Sequence, residues 1–137
     1  MSDLIISTDK SRLDIKAIHA YLTSSYWAKG RTMEAVRQSI DHSICFGAYL
    51  EDDQVGFARV VTDHTIFAYI MDVFTLEEYK GEGYGKQLMK AIMNHEDLIG
   101  VENWFLRTMD AQGLYQQFGF TELEFPERSM AKRNFII

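Results

Sequence analysis

With 137 residues, 47% of them apolar and 25% charged, the chain is long enough to bury most of its own hydrophobic surface in one domain spanning 1–137, and its net charge of −6 lacks the basic footprint that nucleic acid or an anionic membrane requires. No apolar run approaches the roughly 18 residues of a membrane span, and the opening MSDLIISTDKSRLDIK carries acidic and polar residues where a signal peptide needs a basic patch and a greasy stretch. The expectation is a soluble, cytoplasmic protein whose single cysteine, Cys45, excludes an intramolecular disulfide and a cysteine-cluster metal site.

In chain order, LIIS reads as a short strand. SRLDIKAIHAYL follows as an amphipathic helix, with Leu13, Ala17, Ile18, Tyr21 and Leu22 at helical spacing. After the connection TSSYWAKGR, Thr32 is placed to cap a second helix, MEAVRQSIDH, whose Met33, Val36 and Ile40 share a face. ICFGAYL and QVGFARVVT are β-rich runs joined by the acidic turn EDD, which predicts a hairpin. TIFAYIMDVFT is almost continuously apolar, as expected of a strand buried on both faces. A glycine-rich turn then leads into the helix YGKQLMKAIMNHE, with Tyr84, Leu88, Ala91 and Ile92 on its buried side. WFLRT is predicted as a strand, DAQGLYQQFG as a short helix ended by Gly119, and FTELE and RSMAKRNFI as closing strands.

The glycine turn 80-KGEGYGKQL-88 puts Gly81, Gly83 and Gly85 two residues apart, directly ahead of a helix. A strand that breaks into such a turn aims free backbone N–H groups, at the positive end of the helix dipole, at one spot suited to a phosphate. Glycine suits the place because a Cβ would block an approaching anion and because nest-like turns need positive φ. Lys80, Lys86 and Lys90 add positive charge, with Glu82 the one opposing group. The plainer alternative is a tight strand-to-helix turn and nothing more. Two common phosphate motifs fail on spacing. The ATP-type P-loop would need glycine where Lys80 stands and Ser or Thr where Gln87 stands, and the dinucleotide fingerprint would need glycine at Lys86.

The segment 72-DVFTLEEYKGEGYGKQLM-89 resembles the strand–turn–helix signature of the GNAT superfamily of acetyl-CoA-dependent N-acetyltransferases, in which Arg or Gln precedes x-x-Gly-x-Gly/Ala. Lys80, Gly83 and Gly85 fill those places. The second half of the signature, A-x-x-x-Tyr-x-x-x-Gly-Phe, is matched at 110-DAQGLYQQFGF-120. Lys80 departs from the usual Arg or Gln, Thr75 and Glu77 stand where Val and Pro are frequent, and Asp110 stands where Asn is common.

The resemblance implies an α/β domain with a mixed, mostly antiparallel central sheet flanked by helices, and acetyl-CoA as co-substrate. It implies that the strand at Val73, Phe74 and Thr75 splays to offer N–H groups to the pantetheine arm and the thioester carbonyl, and that Lys80, Gly81, Glu82, Gly83, Tyr84, Gly85, Lys86 and Asp110 line the rest of the cofactor path. Tyr115 matches the family tyrosine that protonates the departing thiolate, with plain packing beside Leu114 and Phe118 as the alternative. Asp72 is a carboxylate in an apolar strand, which needs a partner if buried. It is read either as holding the acceptor ammonium or relaying its proton, or as a structural acceptor ordering a neighbouring loop. Asp110 doubles as a candidate helix N-cap.

Similar enzymes build the acceptor pocket where 24-SSYWAKGR-31 falls, which makes Tyr26, Trp27, Arg31 and, on the hairpin, Arg59 candidate acceptor residues. Trp27 folding back onto the core is the alternative. His64 is a candidate base, or a solvated loop histidine. No histidine–carboxylate pair has metal-ligand spacing, so no metal is expected.

The expected reaction is direct acetyl transfer to a primary amine, most simply a small molecule, with Cys45 as a buried hydrophobe rather than a nucleophile. A CoA-binding sensor of the same fold and a nucleotide-phosphate enzyme using the same turn are the competing readings. A homodimer is the default assembly.

Overall fold

Five strands form one sheet in the order β1 (Leu4–Ser7), β2 (Ile44–Leu50), β3 (Asp53–Thr62), β4 (Phe67–Thr75) and β5 (Asn103–Leu106). The first three junctions are antiparallel and β4–β5 is parallel. This is the mixed, mostly antiparallel α/β sheet expected. The computed structural model describes residues 3–134, and the chain divides after Arg107 into two compact units.

In the first unit, helices α1 (Ile15–Ser24) and α2 (Met33–Asp41) begin at side-chain caps. Asp14 accepts the N–H of Ala17 and Thr32 accepts that of Ala35. The first helix therefore starts four residues later than its periodicity suggests, because Asp14 competes for the backbone and a 3-10 turn occupies Lys10–Arg12. Ile18 and Leu22 of α1 pack with Val36 and Ile40 of α2 onto Cys45, Phe57 and Phe74 of the sheet. Helix α3 (Tyr84–Met93) lies on the other face: a Cβ on Gly56, beside Phe57, would come within 3.3 Å of Leu88, and successive strand residues point to opposite faces.

The strands buried on both faces are β2, from Cys45 to Tyr49, and β3, from Val55 to Val60, rather than β4 as the apolar run suggests. In β4 burial alternates, with Ala68, Ile70, Asp72 and Phe74 inside and their neighbours half-buried. Phe67, Tyr69 and Val73 are apolar but line the less covered face.

In the second unit, α4 (Gln112–Gln116) is closed by Gly119 at φ +91°, with the N–H of Phe120 returning to the carbonyl of Tyr115. Among the described residues the predicted closing strands are absent. FTELE has no ladder, a 3-10 turn takes Pro126–Arg128, and residues 129–134 are irregular and exposed; the last part of RSMAKRNFI lies outside the described residues. A strand-like run becomes a strand only where its backbone groups find a partner, and neither run has one among the described residues.

Candidate active site

The glycine turn has the backbone that its composition demands. Gly81 and Gly83 stand at φ +89° and +81°, and Gly83 is the N-cap of α3 without any side-chain acceptor. The first N–H of the helix to be satisfied is that of Gln87, which donates to the carbonyl of Gly83 at 3.1 Å. Among the described residues, the N–H groups of residues 81–86 find no acceptor. A Cβ built on Gly81 or Gly83 would meet no protein atom within 4 Å, so both glycines front open space. Gly85 belongs to the first turn of α3, with half-buried Tyr84 before it and exposed Lys86 after it. Glu82 is exposed. Six free donors at a helix N-terminus, backed by the dipole, make a cradle for a diphosphate.

Lys80 does not point its charge at this cradle alone. Its Nζ pairs with Glu77 at 2.8 Å, and that hydrogen bond is the main reason its pKa lies above the ordinary lysine value. Both side chains are largely exposed, so the pair is easily exchanged.

Upstream of the turn, β4 is interrupted by a bulge. Phe57 pairs with Phe74 and Arg59 with Met71, so Ala58 faces both Asp72 and Val73. Asp72 takes a left-handed backbone at φ +55°, uncommon for a residue with a Cβ. β5 pairs with β4 only from Phe67 to Ile70, so the segment Met71–Thr75 runs on without that neighbour. Leu76 donates to Val55 at 2.8 Å, and the alternation of a strand then directs the N–H of Thr75 away from β3, toward the side on which β5 has ended. Phe74 itself faces inward, stacked on Tyr21 at 4.1 Å.

Asp72 is the hub of a buried charge cluster. Its side chain is 1% exposed and is held by Arg31 at 2.8 Å and Arg59 at 3.0 Å, both on Oδ2, with the indole of Trp27 donating to Oδ1 at 3.1 Å. Arg59 is fully engaged, with its other nitrogens on Ser43 Oγ at 3.1 Å and Met71 Sδ at 3.4 Å. Arg31 is held from behind by His19, whose Nε2 donates to the Arg31 carbonyl at 2.9 Å. Tyr26 and Trp27 form an edge-to-face pair at 5.2 Å and both remain exposed. Trp27 therefore neither folds into the core nor swings free, because its ring N–H is tied to the buried carboxylate.

The structure thus gathers Tyr26, Trp27, Arg31, Arg59 and Asp72, candidates read from separate segments, and sets the last beside Val73–Thr75. It does not bring His64 to them. His64 is exposed at φ +70° in the turn before β4, separated from the glycine turn by the nine residues of that strand, about 30 Å. Asp63 shapes the turn instead, accepting the N–H groups of Thr65, Ile66 and Phe67; these bonds, that to Thr65 first, hold its pKa low.

In the second unit, Asp110 is exposed and does not cap α4. The N-cap is Ala111, whose own N–H is taken by Thr108 Oγ1 at 3.0 Å, and α4 starts without a side-chain cap. Tyr115 is buried, with its ring against Phe120. Ser43, Met71 and His19 complete the arginine cluster and were not singled out by sequence, since their pairings depend on partners 12–16 residues away. Burial raises the Cys45 thiol to about 11. Among the described residues no group of three or more His, Cys, Asp or Glu is arranged to hold a metal ion, and no helix is long and apolar enough to cross a membrane.

The bulged strand runs past its parallel neighbour into the glycine turn and helix α3, and the chain matches the acetyltransferase (GNAT) domain over residues 41–122. The chain belongs to the GNAT acetyltransferase family. It superposes on the crystal structure of a GNAT-family protein from Xanthomonas campestris pv. campestris with a TM-score of 0.94 and 46% identity, covering 97% of this chain and 94% of that one. It is 32% identical over 110 residues to an acetyltransferase-family protein of Gibberella zeae, covering 66% of this chain, and spans 62% of the length of that relative. It is 34% identical over 102 residues to a spermine/spermidine N(1)-acetyltransferase of Bacillus subtilis, covering 63% of this chain and 67% of the relative.

Proposed function

We propose that the protein transfers the acetyl group of acetyl-CoA directly to a primary amine of a small molecule, within a ternary complex. The observation that carries this reading is the run of unsatisfied N–H groups at 81–86 behind two left-handed glycines. Those donors take the diphosphate, and the open edge of β4 at Thr75 takes the amide-rich pantetheine arm, as a neighbouring strand would. Lys86 adds charge to the cradle, and Lys80 joins it by exchanging Glu77 for phosphate.

In the reaction the neutral amine nitrogen attacks the thioester carbonyl carbon. A C–N bond forms, the C–S bond breaks, the nitrogen loses its proton to water, and the sulfur receives one. Main-chain N–H at the end of β4 stabilises the charge that gathers on the carbonyl oxygen. Tyr115 is assigned the proton for the departing thiolate on its motif position. Asp72, its oxygens committed to Arg31, Arg59 and Trp27, acts as the anchor of the acceptor loop, and the amine enters already deprotonated. Cys45, buried and raised to about 11, takes no part, which leaves no acyl-enzyme.

Asp72 being occupied also supports a second reading, a CoA-binding sensor with little turnover. One experiment separates these and the nucleotide alternative: thermal unfolding with CoA or ATP, followed by mass detection of acetylated product from a panel of amines. A ligand at about 100 times its Kd adds roughly 2.7 kcal/mol of stability. Stabilisation by CoA with product supports the transferase, CoA binding without product supports the sensor, and stabilisation by ATP alone overturns both.

A further inference from the structure

The charge cluster around Asp72 is unbalanced. Two guanidinium groups meet one carboxylate, and the loop 24-SSYWAKGR-31 that carries Arg31 contains Lys29 and no acidic residue, in a chain whose net charge is −6. Arg59 has spent all three of its nitrogens inside the cluster. Arg31 has not. One terminal nitrogen is on Asp72, while Nε and the other terminal nitrogen have no acceptor among the described residues, and the side chain is 22% exposed. His19 holds the Arg31 main chain through its carbonyl and Asp72 holds the guanidinium by one terminal nitrogen, which leaves the edge formed by Nε and the other terminal nitrogen free for a ligand. The exposed rings of Tyr26 and Trp27 stand beside it in the same loop, and Asp72, to which it is tied, directly precedes the β4 segment Val73–Thr75.

The geometry points to an acceptor amine that also carries an anionic group, a carboxylate or a phosphate, which Arg31 takes through its free donor edge. This inference rests on the transferase reading above and narrows its substrate class. A fixed planar fork suits a two-oxygen anion. The net positive charge repels a polyamine, whose further ammonium groups have no carboxylate to meet here because Asp72 is already neutralised. The acceptor specificity named for the Bacillus subtilis relative would then not extend to this chain.

The test compares acceptors that differ only in the anion, using the purified protein with acetyl-CoA and reading thiol release. The pairs are O-phosphoethanolamine against ethanolamine, and β-alanine against its methyl ester, each corrected for the neutral fraction of the amine, with spermidine as the polycation. The anionic member of at least one pair is expected to have the higher kcat/KM by about 10- to 100-fold, the range of a hydrogen-bonded charge, and which pair responds tells phosphate from carboxylate. Arg31→Gln collapses that ratio through KM, and Arg31→Lys restores part of it. If a variant misfolds, the wild-type ratios stand alone. Equal rates within both pairs, or spermidine as the best acceptor, overturn the inference while leaving the transferase intact. If no amine turns over, the readout is the thermal midpoint of the CoA-bound protein, and failure of both anionic amines to raise it above their neutral partners overturns the inference too. Failure of CoA itself to raise the midpoint removes the transferase reading, and the inference with it.

Discussion

Arg59 Nε lies 3.0 Å from Asp72 Oδ2, with only 8% and 1% of the two side chains exposed. The pair closes across the bulge that splits β3 from β4 register, and the same carboxylate holds Arg31 and Trp27 from the α1–α2 loop. Removing the carboxylate strands two guanidinium groups, one of them deeply buried, and a broken buried pair costs about 3–5 kcal/mol. Asp72→Ala is therefore expected to lower the unfolding free energy by about that amount in a denaturant titration, with Asp72→Asn less severe because it keeps one acceptor. A loss below about 1 kcal/mol for Asp72→Ala would show that the cluster carries little of the fold's stability.

Gly83 separates a backbone effect from a ligand effect. Alanine at φ +81° is strained by about 1 kcal/mol, yet its Cβ would touch nothing in the protein. Gly83→Ala is expected to fold, with a modest fall in midpoint, and to lose CoA affinity by about tenfold as its Cβ enters the space that the glycine leaves open. Calorimetric titration with CoA checks this, and unchanged affinity contradicts the placement of the diphosphate.

In the proposed CoA site, the Lys80–Glu77 pair would compete with the cofactor for the same ammonium. Glu77→Gln releases Lys80, at a cost to the free protein of at most about 1 kcal/mol since both groups are largely exposed. CoA should then bind a few-fold more tightly at low salt, with the gain shrinking as salt rises. Weaker binding in Glu77→Gln would mean that Lys80 needs the glutamate to be positioned.

Without a free carboxylate at Asp72, deprotonation belongs to the amine. The log of kcat/KM is expected to rise by about one per pH unit below the pKa of the acceptor, shifting with each acceptor's own pKa rather than staying at a value fixed by the protein. Tyr115→Phe should lower kcat by no more than about 10²–10⁴. A limb that keeps the same pKa for acceptors of different basicity would identify a protein base instead.

Cys45 is buried, and its thiol, pushed up to about 11 by burial, is present as thiolate at roughly one part in 10³ at pH 8. Iodoacetamide should label it only after unfolding, and Cys45→Ala should keep turnover. Rapid labelling of the folded protein, or an acetylated Cys45 in a quenched reaction, would contradict direct transfer.

The glycine turn was legible because its demand is local. Gly81 and Gly83 take positive φ that other residues resist, and a helix starting at Tyr84 leaves its first donors free whatever surrounds it. Thr32 as a cap and the β2–β3 hairpin were legible for the same reason. Other readings failed where a pattern had to be completed from a distance. The apolar run in β4 cannot show which face its neighbours leave open, and the composition of FTELE cannot create a partner strand. Asp110 caps nothing, because the N-cap of α4 is Ala111, whose N–H is already taken by Thr108.

By itself, then, the sequence determined the family signature, the glycine turn and the order of elements around it, because these follow from backbone conformations that a few neighbouring residues impose. Only the tertiary structure decided what Asp72 does. Its three donors come from positions 27, 31 and 59, and a carboxylate's role is fixed by which charges the fold brings within about 3 Å of it, since the energy of burying it hangs on those partners alone.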